Sequence, residues 1–255
     1  MSLDVFRLDS RVALVTGGHK GLGFVMAQAL AEAGADVVVT SRSKENAEAS
    51  AAALAQSTGR RALGVVVDVA DSAQIKAMVQ TILDQFGRID ILVNNAGINI
   101  RKPIEDFDEA SWDQVQTTNL KAPFLCCQAV GRSMKEQRSG RIINIASMLG
   151  MTALPERSAY CASKAGLIQL TKVLALEWAP YNVTVNALCP GPFATDLNIP
   201  VMKNPQANQF FVDHIPLGRW GRPEELKGVI TFMASDASSF MTGSAIAFDG
   251  GWTAE

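Results

Sequence analysis

Tyr160 and Lys164 stand four residues apart in Tyr160-Cys-Ala-Ser-Lys164. On a helix that spacing brings both side chains to one face. A phenol ordinarily ionises near pH ~10, and a neighbouring ammonium favours its phenolate and lowers that value. Such a pair is a general acid/base able to exchange a proton with an alcohol oxygen near neutrality. Ser147 lies thirteen residues before Tyr160 and closes an apolar run. At the carboxyl edge of a sheet, its hydroxyl could hydrogen-bond the same oxygen. A Tyr-x-x-x-Lys match alone is weak, because such pairs are common surface decoration.

A second chemistry-bearing stretch is Thr16-Gly17-Gly18-His19-Lys20-Gly21-Leu22-Gly23. It falls between an apolar run and an Ala-rich helix. Glycines let the turn tighten and let backbone N–H groups approach a pyrophosphate, while the helix N-terminus adds partial positive charge. The position, at the first strand-to-helix turn, is right for dinucleotide binding. NAD sites carry Asp or Glu at the end of the second strand to hold the ribose 2′-hydroxyl. Here the residues are Thr40-Ser41-Arg42, without a carboxylate. An arginine can pair bidentately with a 2′-phosphate, and Lys20 would add a second cation. The pattern favours NADP over NAD, against the plainer reading of two solvated cations.

Positioning these groups requires a regular scaffold, and the apolar pattern supplies one. Short β-branched runs at 12–16, 36–40, 62–68, 89–94, 141–146, 183–188 and 244–248 read as strands. Helical patterns separate them, ending near 33 and covering 44–58, 72–86, parts of 108–137, 158–179 and 223–235. Near-continuous apolar strands are buried on both faces, as in a parallel sheet covered by helices. The alternation predicts an α/β, Rossmann-type, doubly wound parallel sheet of about seven strands. It runs through residues 1–255 without a linker, so a single dinucleotide-binding and catalytic domain is expected. Residues 190–216, with five prolines, break the rhythm and read as a substrate lid.

Composition narrows the function classes. Of 255 residues, 48% are hydrophobic and 19% charged, which fits a globular chain. Lys+Arg total 23 against 25 Asp+Glu, so no charge excess points to nucleic acid or an anionic membrane. No apolar run reaches the ~20 residues of a membrane span. The start, Met-Ser-Leu-Asp-Val-Phe-Arg, has no signal-peptide pattern. Cys126, Cys127, Cys161 and Cys189 have neither metal-site nor disulfide-scaffold spacing. A cytoplasmic protein without metal is the expectation.

Several segments together resemble the short-chain dehydrogenase/reductase family. They are the 16–23 loop, Asn94-Asn-Ala-Gly97, Asn119, Ser147, Tyr160-x-x-x-Lys164 and Pro190-Gly-Pro-Phe-Ala-Thr195. The resemblance implies a hydride transfer between NADP(H) and a carbonyl or secondary alcohol. Tyr160 resembles the acid/base, and Lys164 the residue that lowers its pKa and holds the nicotinamide ribose. Ser147 resembles the hydroxyl that orients the carbonyl, and Asn119 the residue holding a relay water. For the cofactor, the loop residues Gly17, His19, Lys20, Gly21, Leu22 and Gly23 are implied, with Ser41 and Arg42. Asp68 and Val69 resemble the adenine contacts. Asn95, Ala96 and Gly97 resemble the stretch that lines the cofactor, and Pro190, Gly191, Phe193 and Thr195 resemble the nicotinamide-contacting segment. The family also implies a homotetramer.

Substrate is less legible. Asn94 to Pro103 and the Phe6-x-Leu-x-x-Arg11 lead-in resemble the sugar-acid branch, the gluconate 5-dehydrogenase-like enzymes. Arg101 or Arg157, with Asn99 and Glu156 nearby, could face a substrate carboxylate or be plain loop charges. A 3-oxoacyl thioester reductase would share the same core, and a catalytically inactive NADP-binding regulatory protein is the alternative of another class. Met148 to Met151, Phe193, Leu197, Phe210 and Phe211 read equally as pocket or packing. Asn144, Asn186 and His214 read as structural, His19 as filler beside the phosphates, and Cys161 as an inert thiol.

Overall fold

A computed structural model describes residues 3–196 and 198–254. Met1 and Ser2 of the leader reading, and Leu197 of the pocket reading, lie outside the described residues. Among those described, seven strands form one parallel sheet: β1 (Val12–Val15), β2 (Asp36–Ser41), β3 (Ala62–Val66), β4 (Ile91–Asn94), β5 (Gly140–Ile145), β6 (Val183–Pro190) and β7 (Ala245–Phe248). Their order is β3-β2-β1-β4-β5-β6-β7. The direction of winding reverses between β1 and β4, which opens a crevice at their carboxyl ends.

The helices are α1 (Gly21–Glu32), α2 (Lys44–Thr58), α3 (Ser72–Phe86), α4 (Glu109–Gln116), α5 (Ala122–Gln137), α6 (Ser158–Trp178), α7 (Ile199–Met202), α8 (Pro205–Asp213) and α9 (Leu226–Ala234). Alternate strand residues separate two cores. Ala13, Val15, Val37, Val39, Ile91 and Val93 pack under α1, α2 and α9. Val12, Leu14, Val38, Leu92, Ile142 and Val185 pack under α3, α5 and α6. The expected single-domain α/β sheet is therefore what the chain forms.

Boundaries follow local chemistry. Ser43 caps α2, accepting from the Asn46 N–H at 3.3 Å, and Asp71 caps α3, accepting from the Ala73 N–H at 2.8 Å. Gly59 and Gly87 end those helices at φ of 69° and 76°, where a side chain would be strained. Four expectations shift. The third strand stops at Val66, leaving Asp68 in the following loop, where its carboxylate accepts from the Ala70 N–H. The fourth begins at Ile91, because the Asp90 carboxylate is occupied by the Val12 N–H at 2.9 Å and by Arg88. The fifth ends at Ile145, so Ser147 caps the short turn Met148–Gly150 instead of closing the strand. The helix read at 223–235 opens as a tight turn, Pro223–Glu225, before α9.

The described residues of 190–216 are also more regular than their prolines suggest. Pro190 ends β6 beside Phe248, where its missing N–H costs little. Pro200 and Pro205 occupy first-turn positions of α7 and α8, which proline tolerates. Phe210 meets Trp252 edge-on and Phe211 meets it at a tilt, with ring centroids 6.4 and 5.5 Å apart, and Trp220 donates to Asn208 at 2.8 Å. Among the described residues, no helix is long and apolar enough to cross a membrane.

The opposite end of the sheet is tied by charge. Asp236 meets Arg11 at 2.7 Å and Arg141 at 3.1 Å, and the Arg141 side chain is only 6% exposed. Hydrogen bonding from Arg11 holds the Asp236 carboxyl below its ordinary range. Removing the carboxylate strands a buried guanidinium, but Asp236 itself is 58% exposed, so the loss is reduced by solvent to about 1–2 kcal/mol. Asp236→Asn should lower Tm at pH 7 by about 2–8 °C. A carboxyl with a depressed folded pKa stabilises above its unfolded value of ~3.9 and stops doing so as pH falls through the folded one. Melting curves of the two proteins should therefore converge as pH falls below the unfolded value through the lower folded one; a gap that stays constant on acidification contradicts the assignment.

Candidate active site

Thr16 is the hinge of the glycine loop. Its hydroxyl accepts from the Asn95 and Ala96 N–H groups at 3.0 and 3.1 Å, just past β4. The Asn95 amide donates back to the Thr16 and Gly17 carbonyls at 2.9 and 3.3 Å. A Cβ on Gly23 would run into that amide, and one on Gly18 would come within 2.8 Å of Val39. Gly17 and Gly21 hold φ of 62° and 55°. The loop is thus pressed flat between the ends of β1, β2 and β4. Its helix, α1, begins at Lys20 without any side-chain cap. The first N–H groups of α1 are left for a ligand, at the positive end of the helix dipole.

Around the end of β2, Ser41 is buried and Arg42 exposed. Lys20, also exposed, comes from the facing loop. Both cations act electrostatically on His19. The His19 ring lies with Nδ1 3.3 Å from the Thr40 carbonyl oxygen. Val69 is buried and Asp68 half-buried at the end of β3, on the same edge.

Across the crevice, α6 carries Tyr160 and Lys164 on one face. The buried Lys164 Nζ donates to the Ile145 carbonyl at 2.7 Å and lies 5.6 Å from the Tyr160 ring centroid. Burial pulls Lys164 down to about 8. Tyr160 departs from expectation: burial pushes its phenol up, against an opposing hydrogen bond with Ser147 and the charge of Arg101. Lys164, committed to the Ile145 carbonyl, does not overcome that burial. Ser147 is itself buried and reaches Tyr160 from the β5 side.

Asn119 sits in a wide π-helical turn, Thr117–Lys121, between α4 and α5. Such bulges rotate a side chain out of helical phase and recur at functional sites. Here the fully buried amide accepts from the Ile98 N–H and donates to the Ile98 carbonyl, both at 2.8 Å. It also donates to Ser163 at 3.2 Å. Gly97 lies 3.3 Å, at its Cβ position, from the Asn119 oxygen.

The family model described as enoyl-(acyl carrier protein) reductase matches residues 17–253. A protein of Dickeya dadantii (strain 3937), 2-dehydro-3-deoxy-D-gluconate 5-dehydrogenase, is 42% identical over the full length of both chains. A 3-oxoacyl-[acyl-carrier-protein] reductase of Synechocystis sp. is equally 42% identical, over 96% of this chain and 97% of that one. The crystal structure of a gluconate 5-dehydrogenase from Burkholderia cenocepacia J2315, in complex with NADP and tartrate, superposes with a TM-score of 0.96 at 40% identity over all of both chains. The chain belongs to the short-chain dehydrogenase/reductase family. It is an oxidoreductase of that type.

Within this short-chain dehydrogenase the remaining site residues divide. Pro190 is buried, and Gly191 is forced by the Asp249 backbone, whose Cα would lie 2.5 Å from a Cβ there. The Phe193 side chain is core, stacked on Phe248, and its carbonyl is taken by Thr195 N–H and Asn198. Thr195 is half-buried. Met148 and Leu149 are buried, whereas Met151 is half-exposed. Asn144 and Asn186 are structural: Asn186 donates to the Met241 carbonyl at 2.8 Å, and Asn144 bridges Asn94 and Thr171 at 2.8 and 2.9 Å. Thr171 and Ser163, which complete these networks, carried no signal of their own in the sequence.

Lys164 yields a test of how the site trades stability for charge. A drop from 10.5 to about 8 corresponds to an unfavourable burial of about 3 kcal/mol at pH 7. Since the unfolded chain binds the extra proton between those values, stability rises with pH from about 8 to 10.5. Lys164→Met removes the charge, so its Tm at pH 7 should equal or exceed that of the parent. A fall of more than ~4 °C in calorimetry would show that the ammonium stabilises the fold.

Proposed function

We propose that this chain is an NADP(H)-dependent dehydrogenase/reductase that interconverts a keto sugar acid, such as 5-ketogluconate, and its hydroxy acid. The single observation that carries the substrate class is the arginine pair beside the acid/base. Arg101 acts electrostatically on both Tyr160 and Arg157. The Lys102 N–H donates to the Glu156 carbonyl at 3.1 Å and joins their two loops. Two cations held together, one of them half-buried, favour an anionic ligand. The Glu156 charge offsets only Arg157.

The dinucleotide fits what the loop offers. Uncapped N–H groups of α1, the flattened 17–23 turn and the cations Lys20 and Arg42 match a pyrophosphate and a 2′-phosphate. Among the described residues no carboxylate pairs with either cation. Ser41, Asp68, Val69, Asn95, Ala96, Gly97, Pro190, Gly191, Phe193 and Thr195 would line the remainder, Phe193 through its backbone. When bound, the nicotinamide supplies or accepts the hydride.

Ser147 and Tyr160 donate hydrogen bonds to the substrate oxygen as it gains negative charge. The raised phenol pKa keeps Tyr160 protonated at neutral pH, as a proton donor to a carbonyl must be. The Lys164 ammonium balances the phenolate left behind and holds the ribose. Asn119, with its oxygen beside Gly97, positions the relay water. Residues 190–216 cover the substrate. A homotetramer in the cytoplasm is the assembly and location that accord with the family.

A second reading, 3-oxoacyl thioester reduction, is favoured by the Synechocystis relative. A panel of 5-ketogluconate and an acetoacetyl thioester with NADPH and NADH separates them. We expect 5-ketogluconate with NADPH to be preferred, and Arg101→Ala to raise its KM about 10- to 100-fold while leaving the thioester unaffected. Preference for the thioester sinks the sugar-acid reading. Arg42→Ala should cost NADPH about 1–3 kcal/mol and NADH nothing. Tyr160→Phe should lose at least ~10³-fold in kcat with NADPH affinity retained. Ketone reduction needs Lys164 charged, so its rate should fall as pH rises through about 8; a rate climbing across that range contradicts the mechanism.

A further inference from the structure

The geometry points to His19 as a third ligand of the 2′-phosphate, one that engages by taking up a proton. The inference rests on the NADP reading above and deepens it. Gly18 seats the loop against Val39, which brings the next residue, His19, over the end of β2. There the His19 Nδ1 meets the Thr40 carbonyl oxygen at 3.3 Å. A carbonyl only accepts, so Nδ1 carries the hydrogen and Nε2 of the neutral ring is bare. Thr40 precedes Ser41 and Arg42, where a dinucleotide fold reads the 2′-position of the ribose.

The charged groups that act on this ring are Lys20, from the loop, and Arg42, from beyond β2. Both are cations, and no carboxylate among the described residues offsets them there. With burial they push His19 below its ordinary value, and the ring is neutral near pH 7. A phosphate dianion reverses that field: it pairs with Lys20 and Arg42, and Nε2 can then accept a proton and donate to a phosphate oxygen. A ribose hydroxyl supplies no such charge. NADPH binding should therefore take up a proton at this site, whereas NADH binding should not. Discrimination between the two cofactors grows as pH falls.

Fluorescence titration of NADPH and NADH from pH 8.5 to 6.5, with the parent and His19→Gln, tests this. The range stays above the phosphate's own ionisation near ~6. In the parent, NADPH Kd should fall about five- to tenfold over the range relative to NADH. In His19→Gln it should stay level, matching the parent at pH 8.5 and weaker at 6.5. Calorimetry of the parent in buffers of different ionisation enthalpy counts the proton directly and does not depend on the variant folding. Parallel slopes in both proteins, or no excess proton for NADPH over NADH, overturn the role of His19 while leaving the NADP reading standing. Equal affinity for both cofactors at every pH overturns both.

Discussion

The Asn94 amide, buried between β4 and β5, donates to the Asn144 oxygen at 2.8 Å, and Asn144 donates onward to Thr171 at 2.9 Å. The two asparagines are direct partners in the parallel ladder, so the pair sets the β4–β5 register as well as bonding across it. A buried amide left without a partner costs about 1–3 kcal/mol, and slipping either strand by one residue would strand both. Each member stands just before a functional group. Asn94 precedes Asn95 and Ala96, which clasp the glycine loop through Thr16. Asn144 is followed by Ile145, whose carbonyl holds Lys164, and then by Ser147. Thr171 lies on α6 two turns beyond Lys164. One short polar chain thus places the glycine loop, Ser147 and α6 in a common frame.

What that frame holds is, in part, unfavourable by itself. Lys164 is a buried charge with one carbonyl for company, and the first turn of α1 lacks the side-chain cap that α2, α3, α4 and α8 all possess. Groups left under-satisfied in this way are carried by the surrounding structure and become productive on binding. Both lie on the crevice where the sheet's winding reverses. At the other end of the sheet the logic is the opposite, and Arg11, Asp236 and Arg141 satisfy one another.

Strand–helix alternation and the two motifs were legible because they depend on short-range pattern: apolar runs for β1 to β7, glycines where φ is positive, and Tyr160 and Lys164 one helical turn apart. What escaped the sequence depends on three-dimensional burial. The upward push on Tyr160 comes from how deeply α6 sits, which no spacing encodes. The π-helical turn at Asn119 has no signature in Thr117-Thr-Asn-Leu-Lys121, because it is imposed by the amide's bonds to Ile98 and Ser163 across the fold. Phe193 and Met148 read as pocket or packing, and only the Phe248 stack and the buried position of Met148 decide for packing. The prolines of 190–216 read as loop, although at the first turns of α7 and α8 they start helices.

The same division explains why relatives at similar identity carry different substrate names. Asn95, Ser147, Tyr160 and Lys164 hang from β4, β5 and α6, whose positions are locked by buried polar bonds and by two packed cores. Changing one of them disturbs the sheet. The arginine pair instead hangs from residues 98–103 and 151–157, two loops joined by the backbone bond from Lys102 to Glu156. Glu156, just before Arg157, adopts a left-handed φ of 65°, a conformation reached at some cost outside glycine. A loop substitution there leaves the sheet and α6 in place. Chemistry is therefore conserved by the cost of moving the frame, and substrate choice is left free by the low cost of moving its rim.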